Sequence, residues 1–322
     1  MLRAVAGLLI SIGLGWLVIH GLKWSDVKAA FADMSLFMAF LALIAFLATL
    51  YLRAYRWQVI FINERVSVSR LFVVENEGLG INNLVPVRVA AEAIQWTVLT
   101  VKDRTNPATT LATLGMLRVM DVVASTLLLG VGLVLMPELK SFAVYIIGAM
   151  AFALLTVIFV RFIAWSHRGI SLVKRFPPLA AFTSAVVTLE HSPGRLAYAL
   201  VLSFVYWISV GLTCWIIAVG MNVPISPATA VVVVLGNLFF ATAVPSAPAA
   251  IGTFEWVMVY LLGFFGIGKE LAFGYSIMIH ALLFLPPSII ALIFLPREGV
   301  GALSQLQSLT GRLRRMTHRA SP

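Results

Sequence analysis

Arg118 and Asp121 stand three apart inside an otherwise apolar run, and Arg88 and Glu92 stand four apart shortly before it. On a helix both spacings put the two side chains on one face. Each pair can therefore neutralise itself or present its guanidinium to an anion in bidentate fashion. For Arg118 and Asp121 both roles stay open: an ion pair that pins helix packing, or an arginine shared with an anionic ligand. Pro86, just ahead of Arg88, frees backbone N–H groups at a helix start, and that positive helix end beside Arg88 makes an anion seat. Asn82 and Asn83 precede the proline and can satisfy interrupted backbone or face a polar ligand. Glu75 and Glu77 read equally well as solvated residues near a membrane surface. Later in the chain Pro245 interrupts another apolar run, Glu255 follows Gly252, and His280 lies inside the last run. A carboxylate without a partner in lipid takes up a proton or finds a cation, so proton coupling through Glu255 or His280 is open. A single histidine in a helix serves equally as a hydrogen-bonded packing residue. The candidate binding residues are thus Asn82, Asn83, Pro86, Arg88, Glu92, Arg118, Asp121, Pro245 and Glu255.

The chemistry absent from the sequence narrows the field. No Ser/His/Asp set or paired-carboxylate arrangement stands out as catalytic, no Cys/His cluster has metal-ligand spacing, and no Walker or dinucleotide motif occurs. We expect a protein that is not an enzyme and that uses no metal or other cofactor. The single cysteine, Cys214, lies inside an apolar run and reads as a small buried hydrophobe.

The elements that must position these residues are written in the composition. Of 322 residues 61% are apolar and 11% charged, with a mean hydropathy of +1.00. Soluble domains carry about 25% charged residues, so a soluble enzyme, a coiled coil and a disordered chain are all excluded. A bilayer core of ~30 Å needs about 20 apolar residues per helix. Six stretches qualify: Ala4–His20, Ser35–Phe61, Ala108–Met136, Ser141–Ile163, Leu196–Val219 and Leu271–Leu295. No small-x-small cleavage site follows the first, which reads as an uncleaved helix rather than a leader. Trp24, Val27, Phe31 and Met34 share one face opposite Asp26, Lys28 and Asp33, the pattern of an interfacial helix.

Two further regions, Leu71–Thr100 and Ala228–Ile267, are apolar but broken at proline, and the first carries many polar residues. Interrupted backbone at membrane depth is tolerated only inside protein or beside water. Both regions read as hairpins that enter the membrane and return on the same side. The second would make two short spans if it crossed, for eight in all. Lys and Arg set the orientation. With the N-terminus inside, the cytoplasmic segments hold seventeen, including Arg53, Arg56, Arg65, Lys102, Arg175 and Arg315, against Lys23, Lys28, Lys140 and Lys269 outside. The net charge of +10 is therefore a record of topology and does not imply nucleic acid. Both termini fall in the cytoplasm of an inner (plasma) membrane protein, and the two hairpins enter from opposite sides. Opposed broken segments in corresponding halves mark an inverted repeat with a midplane binding site. The expected fold is an all-α polytopic membrane protein of about six full transmembrane helices plus two opposed re-entrant hairpins. Residues 1–296 form the membrane domain. Residues 297–322 form a basic amphipathic tail suited to an anionic leaflet.

Taken in order, these motifs resemble the flippase-like family that includes the membrane portion of lysylphosphatidylglycerol synthase, the multiple peptide resistance factor. Arg56-Trp57 is similar to the family's Arg-Trp near the end of an early helix. Pro86-Val-Arg88-Val-Ala90 with Glu92 resembles its Pro-x-Arg-x-Gly-acid hairpin, with the acid displaced by one, and Arg118-Val-Met-Asp121 matches its Arg-x-x-Asp. Pro245, Pro248, Ile251, Gly252 and Glu255 match its Pro-x-x-Pro-Gly-Gly-Ile/Leu-Gly-x-x-Glu, with Ala249 and Ala250 in place of the two glycines. The resemblance implies translocation of a lipid or lipid-linked intermediate. The synthase's soluble aminoacyl-transfer domain has no counterpart in this sequence, so lipid aminoacylation is not expected of it.

The leading expectation is a translocator that moves a polar, anionic head group across the bilayer while the apolar chains stay in lipid. Its partner is then a membrane lipid or lipid-linked substrate. Two competitors fit the same elements. One is a membrane-embedded accessory subunit with a lipid- or glycan-modifying enzyme as partner; the other is a small-solute secondary transporter.

Overall fold

The computed structural model describes residues 2–84, 90–169, 177–244 and 246–298. Pro86, Arg88 and Pro245, and the tail from residue 299 onward, lie outside these residues. Among them every regular element is helical. The six expected runs appear as α1 (Leu2–Ile19), α3 (Leu36–Ile60), α6 (Pro107–Leu135), α7 (Ala143–Gly169), α9 (Pro193–Gly220) and α12 (Lys269–Glu298). The last five of these are long and apolar enough to cross a membrane, α7 together with the 3-10 turn Pro137–Phe142 that leads into it, and α1 with α2 (Trp24–Ala32) makes a sixth, bent by 87° at the break. Large apolar side chains such as Leu36, Phe37, Val134, Val144 and Phe152 are exposed on their outer faces, as lipid-facing positions require. The chain is a polytopic helical membrane protein.

Helix starts follow local chemistry. The Asn106 side chain accepts from the backbone N–H groups of Ala108 and Thr109 at 2.9 and 3.1 Å, ahead of Pro107 at the first helical position. Ser226 caps α10 (Pro227–Ala243) through Thr229 at 3.0 Å. α2 lies across the end of α1 as its amphipathic pattern predicts, but its inner face packs on protein. Val27 is buried with Val18, Leu22 and Phe273.

The basic segment between α7 and α9 contains α8 (Pro177–Glu190). Phe182, Val186 and Leu189 form a short apolar stripe on it, packed with Ile60, Ala112 and Ala199. Flanking charge masked that stripe in the sequence.

Both broken regions form helix–break–helix hairpins. The first is α4 (Val68–Leu84) followed by α5 (Ala90–Thr97), which runs on as a π turn over Val98–Lys102. Arg70 at the start of α4 and Lys102 at the end of that turn both reach Glu298 of α12, at 2.5 and 2.7 Å. The two arms therefore begin and end at one end of the bundle. Arg70 also donates to Asp103 at 2.8 Å. The Glu298 hydrogen bond, with Asp103 adding to it, raises the Arg70 pKa above its ordinary value against the opposing effect of burial. The second hairpin is α10, a 3-10 turn at Pro248–Ala250, and α11 (Thr253–Phe264). It starts and finishes at the opposite end, where Ser35 donates to the Gly220 carbonyl at 2.9 Å and Lys269 to the His20 carbonyl at 2.7 Å.

α3 and α9 pack side by side at the centre. Around them the contacts come in matched sets: α4 on α12 and α10 on α6, α3 on α4 and α9 on α10, α5 on α6 and α11 on α12. Exchanging α3–α6 for α9–α12 leaves that pattern unchanged.

Candidate functional site

The polar residues within the membrane domain sort into three clusters. The most enclosed joins α3, α4, α6 and α9. Arg56, fully buried, pairs with Asp121 and donates to Ser203 at 3.0 Å. Arg53, one turn away, pairs with Glu75 at 2.6 Å and donates to the Tyr206 hydroxyl at 3.3 Å. Both guanidinium groups lie 5.4–5.5 Å from the Tyr206 ring centroid, at cation–π distance. Trp57 donates to Thr113 at 3.1 Å on the same side of α3. This arrangement fixes four helices to one another and leaves no side of Arg56 for a ligand.

The second cluster is open. Arg118 of α6 pairs with Glu92 of α5 at 2.5 Å, with 46% of the arginine side chain exposed. The second carboxylate oxygen of Glu92 is buried and makes no hydrogen bond. One guanidinium edge is thus held by Glu92 and the rest remains free for an anion.

The third lies at the break of the second hairpin. Glu255 takes a backbone hydrogen bond from Gly252 at 2.6 Å with one oxygen, closing the start of α11 as the third-residue acid of a capping box does. Its other oxygen pairs with His280 Nδ1 of α12, and both residues are buried. α1 holds this break in place: Ser11 accepts from the Ala247 N–H at 2.7 Å and shares a hydrogen bond with Thr253 at 3.0 Å. A Cβ on Gly252, at φ +83°, would lie 2.3 Å from the Ser11 carbonyl oxygen, so only glycine fits. Ala249 and Ala250 adopt φ of +55° and +56°. The family's two glycines match that geometry, whereas each alanine carries roughly 1–2 kcal/mol of left-handed strain.

α4 packs against the 3-10 turn Pro248–Ala250 of the second hairpin. Asn83 near the end of α4 donates to the Phe284 carbonyl at 3.2 Å and to Ser288 Oγ at 3.0 Å. That contact falls at the turn of α12 disturbed by Pro286 and Pro287, which lack the N–H a helix interior needs. Gly80 permits the fit, because a Cβ there would come within 2.7 Å of the Pro287 carbonyl oxygen. Asn82 is exposed.

Several sequence expectations are corrected here. Arg118 and Asp121 do not pair; they lie on α6 facing different neighbours, and Asp121 is taken by Arg56. Glu92 pairs with Arg118, and its expected partner Arg88 lies outside the described residues. Glu75 is buried with Arg53 instead of solvated, and Glu77 is fully buried. Arg53 and Arg56, counted as markers of the cytoplasmic side, are structural charges inside the bundle. Glu255 and His280 each find their partner in the other. The roles of Arg53, Arg56 and Ser11 were missed. Arg53 and Arg56 sit a turn apart late in an apolar helix, and Gly7, Ser11 and Gly15 form a four-residue stripe, which are the available clues.

The open and the third clusters occupy equivalent places. Glu92 lies in the first described turn of α5 and Glu255 is the third residue of α11; Arg118 is the twelfth residue of α6 and His280 the twelfth of α12. In each half the return arm of a broken hairpin is tied by an acid in its first turn to a cation in the next long helix.

These contacts define a helical membrane protein in which two helix pairs are each tied by an acid to a cation on the next long helix. The match is to one family in particular: the chain belongs to the lysylphosphatidylglycerol synthase transmembrane region family, whose pattern covers residues 4–291. No curated protein matches it. The membership carries a membrane-lipid-related role.

Proposed function

We propose that this protein is a lipid translocator that moves an anionic head group between the leaflets, and that it does so without enzymatic chemistry. The observation that carries the reading is the equivalence of the Glu92–Arg118 and Glu255–His280 pairs across two halves of opposite direction. Such inverted repeats place a substrate site between broken helices near the midplane. With the basic end of the bundle in the cytoplasm, the first hairpin enters from inside and the second from outside, and both termini are cytoplasmic. Arg118 takes the head group because its guanidinium is half open and its competing acid is a single carboxylate. An apolar recess between α6, α7, α10 and α11, lined by Leu129, Phe142, Val232, Phe239 and Phe240, suits contact with the chains at the lipid-facing surface.

The tight seat of α4 on α12 at Gly80 favours a second reading, the accessory subunit of a lipid- or glycan-modifying enzyme. Reconstitution separates the two. Purified protein in phosphatidylcholine vesicles carrying a trace of fluorescent phosphatidylglycerol should let dithionite bleach nearly all the probe within minutes. Bleaching that stops at the outer leaflet contradicts translocation of this lipid class and leaves the accessory reading in front.

A further inference from the structure

We infer that the Glu255–His280 pair is a proton-carrying site, and that a proton travels with the anionic head group in the same direction. The inference rests on the translocator reading and on the equivalence of the two latches. In the first half the cation is Arg118, whose guanidinium keeps its charge at every working pH. In the second the same position holds His280, the one side-chain type that ordinarily changes charge between pH 5 and 8. One latch is therefore fixed in charge and the other is not.

The geometry says where the proton goes. His280 Nδ1 faces Glu255, and opposite an ionised carboxylate, which only accepts, Nδ1 is the donor and the exchangeable position is Nε2. With Nε2 protonated, an imidazolium sits beside a carboxylate and the latch is charge-assisted. With Nε2 bare, a neutral imidazole remains, and the Glu255 charge is balanced by the Gly252 N–H and the positive end of α11. Only an N–H bond at Nε2 forms or breaks. The charge-assisted contact is roughly twice as strong as the neutral one, so protonation tightens the tie between α11 and α12.

No other described charge shares this site. The rings of Phe254 and Phe284 lie 4.5 and 4.3 Å from the imidazole centroid. α10 and the 3-10 turn contain no titratable residue, and neither does α1 from Ala6 to Ile19. On α11, Tyr260 stacks on Trp256. On α12, Tyr275 donates to the Cys214 carbonyl of α9, and Lys269, Glu270, Arg297 and Glu298 sit at the helix ends. Of the charges on α4, Arg70 is taken by Glu298 and Asp103 and Glu75 by Arg53, while Glu77 faces the Arg70, Lys102 and Glu298 group. Arg53 and Arg56 of α3 and Tyr206 of α9 are held in the enclosed cluster, Arg195 of α9 donates to the Phe61 carbonyl at 3.4 Å, and Asp26 and Lys28 of α2 are exposed.

The two latches then work against each other. A head group on Arg118 competes with Glu92 and loosens the first hairpin, while a proton on His280 tightens the second. Anion and proton thus favour the same state, and they cross together. For a singly charged head group the pair moves without net charge, so each pH unit across the membrane biases the leaflet ratio up to tenfold.

The test uses the whole protein in vesicles with fluorescent phosphatidylglycerol and an acidic exterior. The expected result is accumulation of probe in the inner leaflet, approaching a tenfold ratio per pH unit, and an even distribution without the gradient. His280→Gln should abolish the accumulation. His280→Lys, which keeps a cation beside Glu255 and so preserves the latch and the fold, should abolish it as well. Gradient-driven accumulation by His280→Lys equal to that of the unaltered protein would overturn the proposal. So would an even distribution under the gradient by unaltered protein that still moves the probe. Unaltered protein that moves no probe at all counts instead against the translocator reading itself.

Discussion

Replacing Asp121 with asparagine should destabilise the protein by roughly 3–5 kcal/mol, the usual cost of stripping one partner from a buried ion pair. Arg56 has no exposed surface, and its Nε already lacks a hydrogen-bond partner. Without the carboxylate its charge is left with Ser203 and the face of Tyr206, too little to replace a bidentate partner. The penalty comes from the orphaned charge, so removing both charges should be far milder. Arg56→Met combined with Asp121→Leu should recover most of the loss, because a well-packed apolar pair often matches a buried ionic one. Thermal unfolding in detergent, followed by the loss of the monodisperse peak in gel filtration, reads both variants. An Asp121→Asn protein that melts with the unaltered one would show that the enclosed cluster does not hold the bundle.

Arg118→Gln should behave in the opposite way. With 46% of the arginine side chain and 26% of the glutamate side chain exposed, the pair contributes at most about 1 kcal/mol to stability. A charge-assisted contact to a head group contributes roughly 1.5–3 kcal/mol. Its loss should slow probe movement about 10- to 100-fold at nearly unchanged melting temperature. A lowered melting temperature with an unchanged rate would make Arg118 a packing residue.

These two residues show where the sequence is legible and where it is not. The long helices follow from apolar length alone, and the two breaks from proline in apolar runs. Arg118 and Asp121 were found as intramembrane charges, but their partners were assigned by proximity along the chain. Helical spacing places two residues on one face without saying what the neighbouring helix offers there. Here α3 and α5 present Arg56 and Glu92, each more than 25 residues away from its partner. Asp121 consequently moves from the candidate ligand-binding set to the enclosed cluster, and Asn83 becomes a tether to α12. The latch equivalence was invisible for a similar reason. It depends on counting from helix starts, and the start of α5 lies behind a break that the sequence could not locate to the residue.

Translocation by paired latches requires the two hairpins to open toward opposite faces of the membrane. Asn82 near the first break and Ile251 at the second are both exposed, and Cys214 is the only cysteine in the sequence and is buried. In a Cys214→Ala background, cysteine placed at 251 should react with an impermeant thiol reagent added to intact cells. Cysteine at 82 should react only once the inner face is opened to the reagent. Labelling of both positions from the same side would contradict the inverted arrangement and, with it, the paired latches on which translocation is proposed to run.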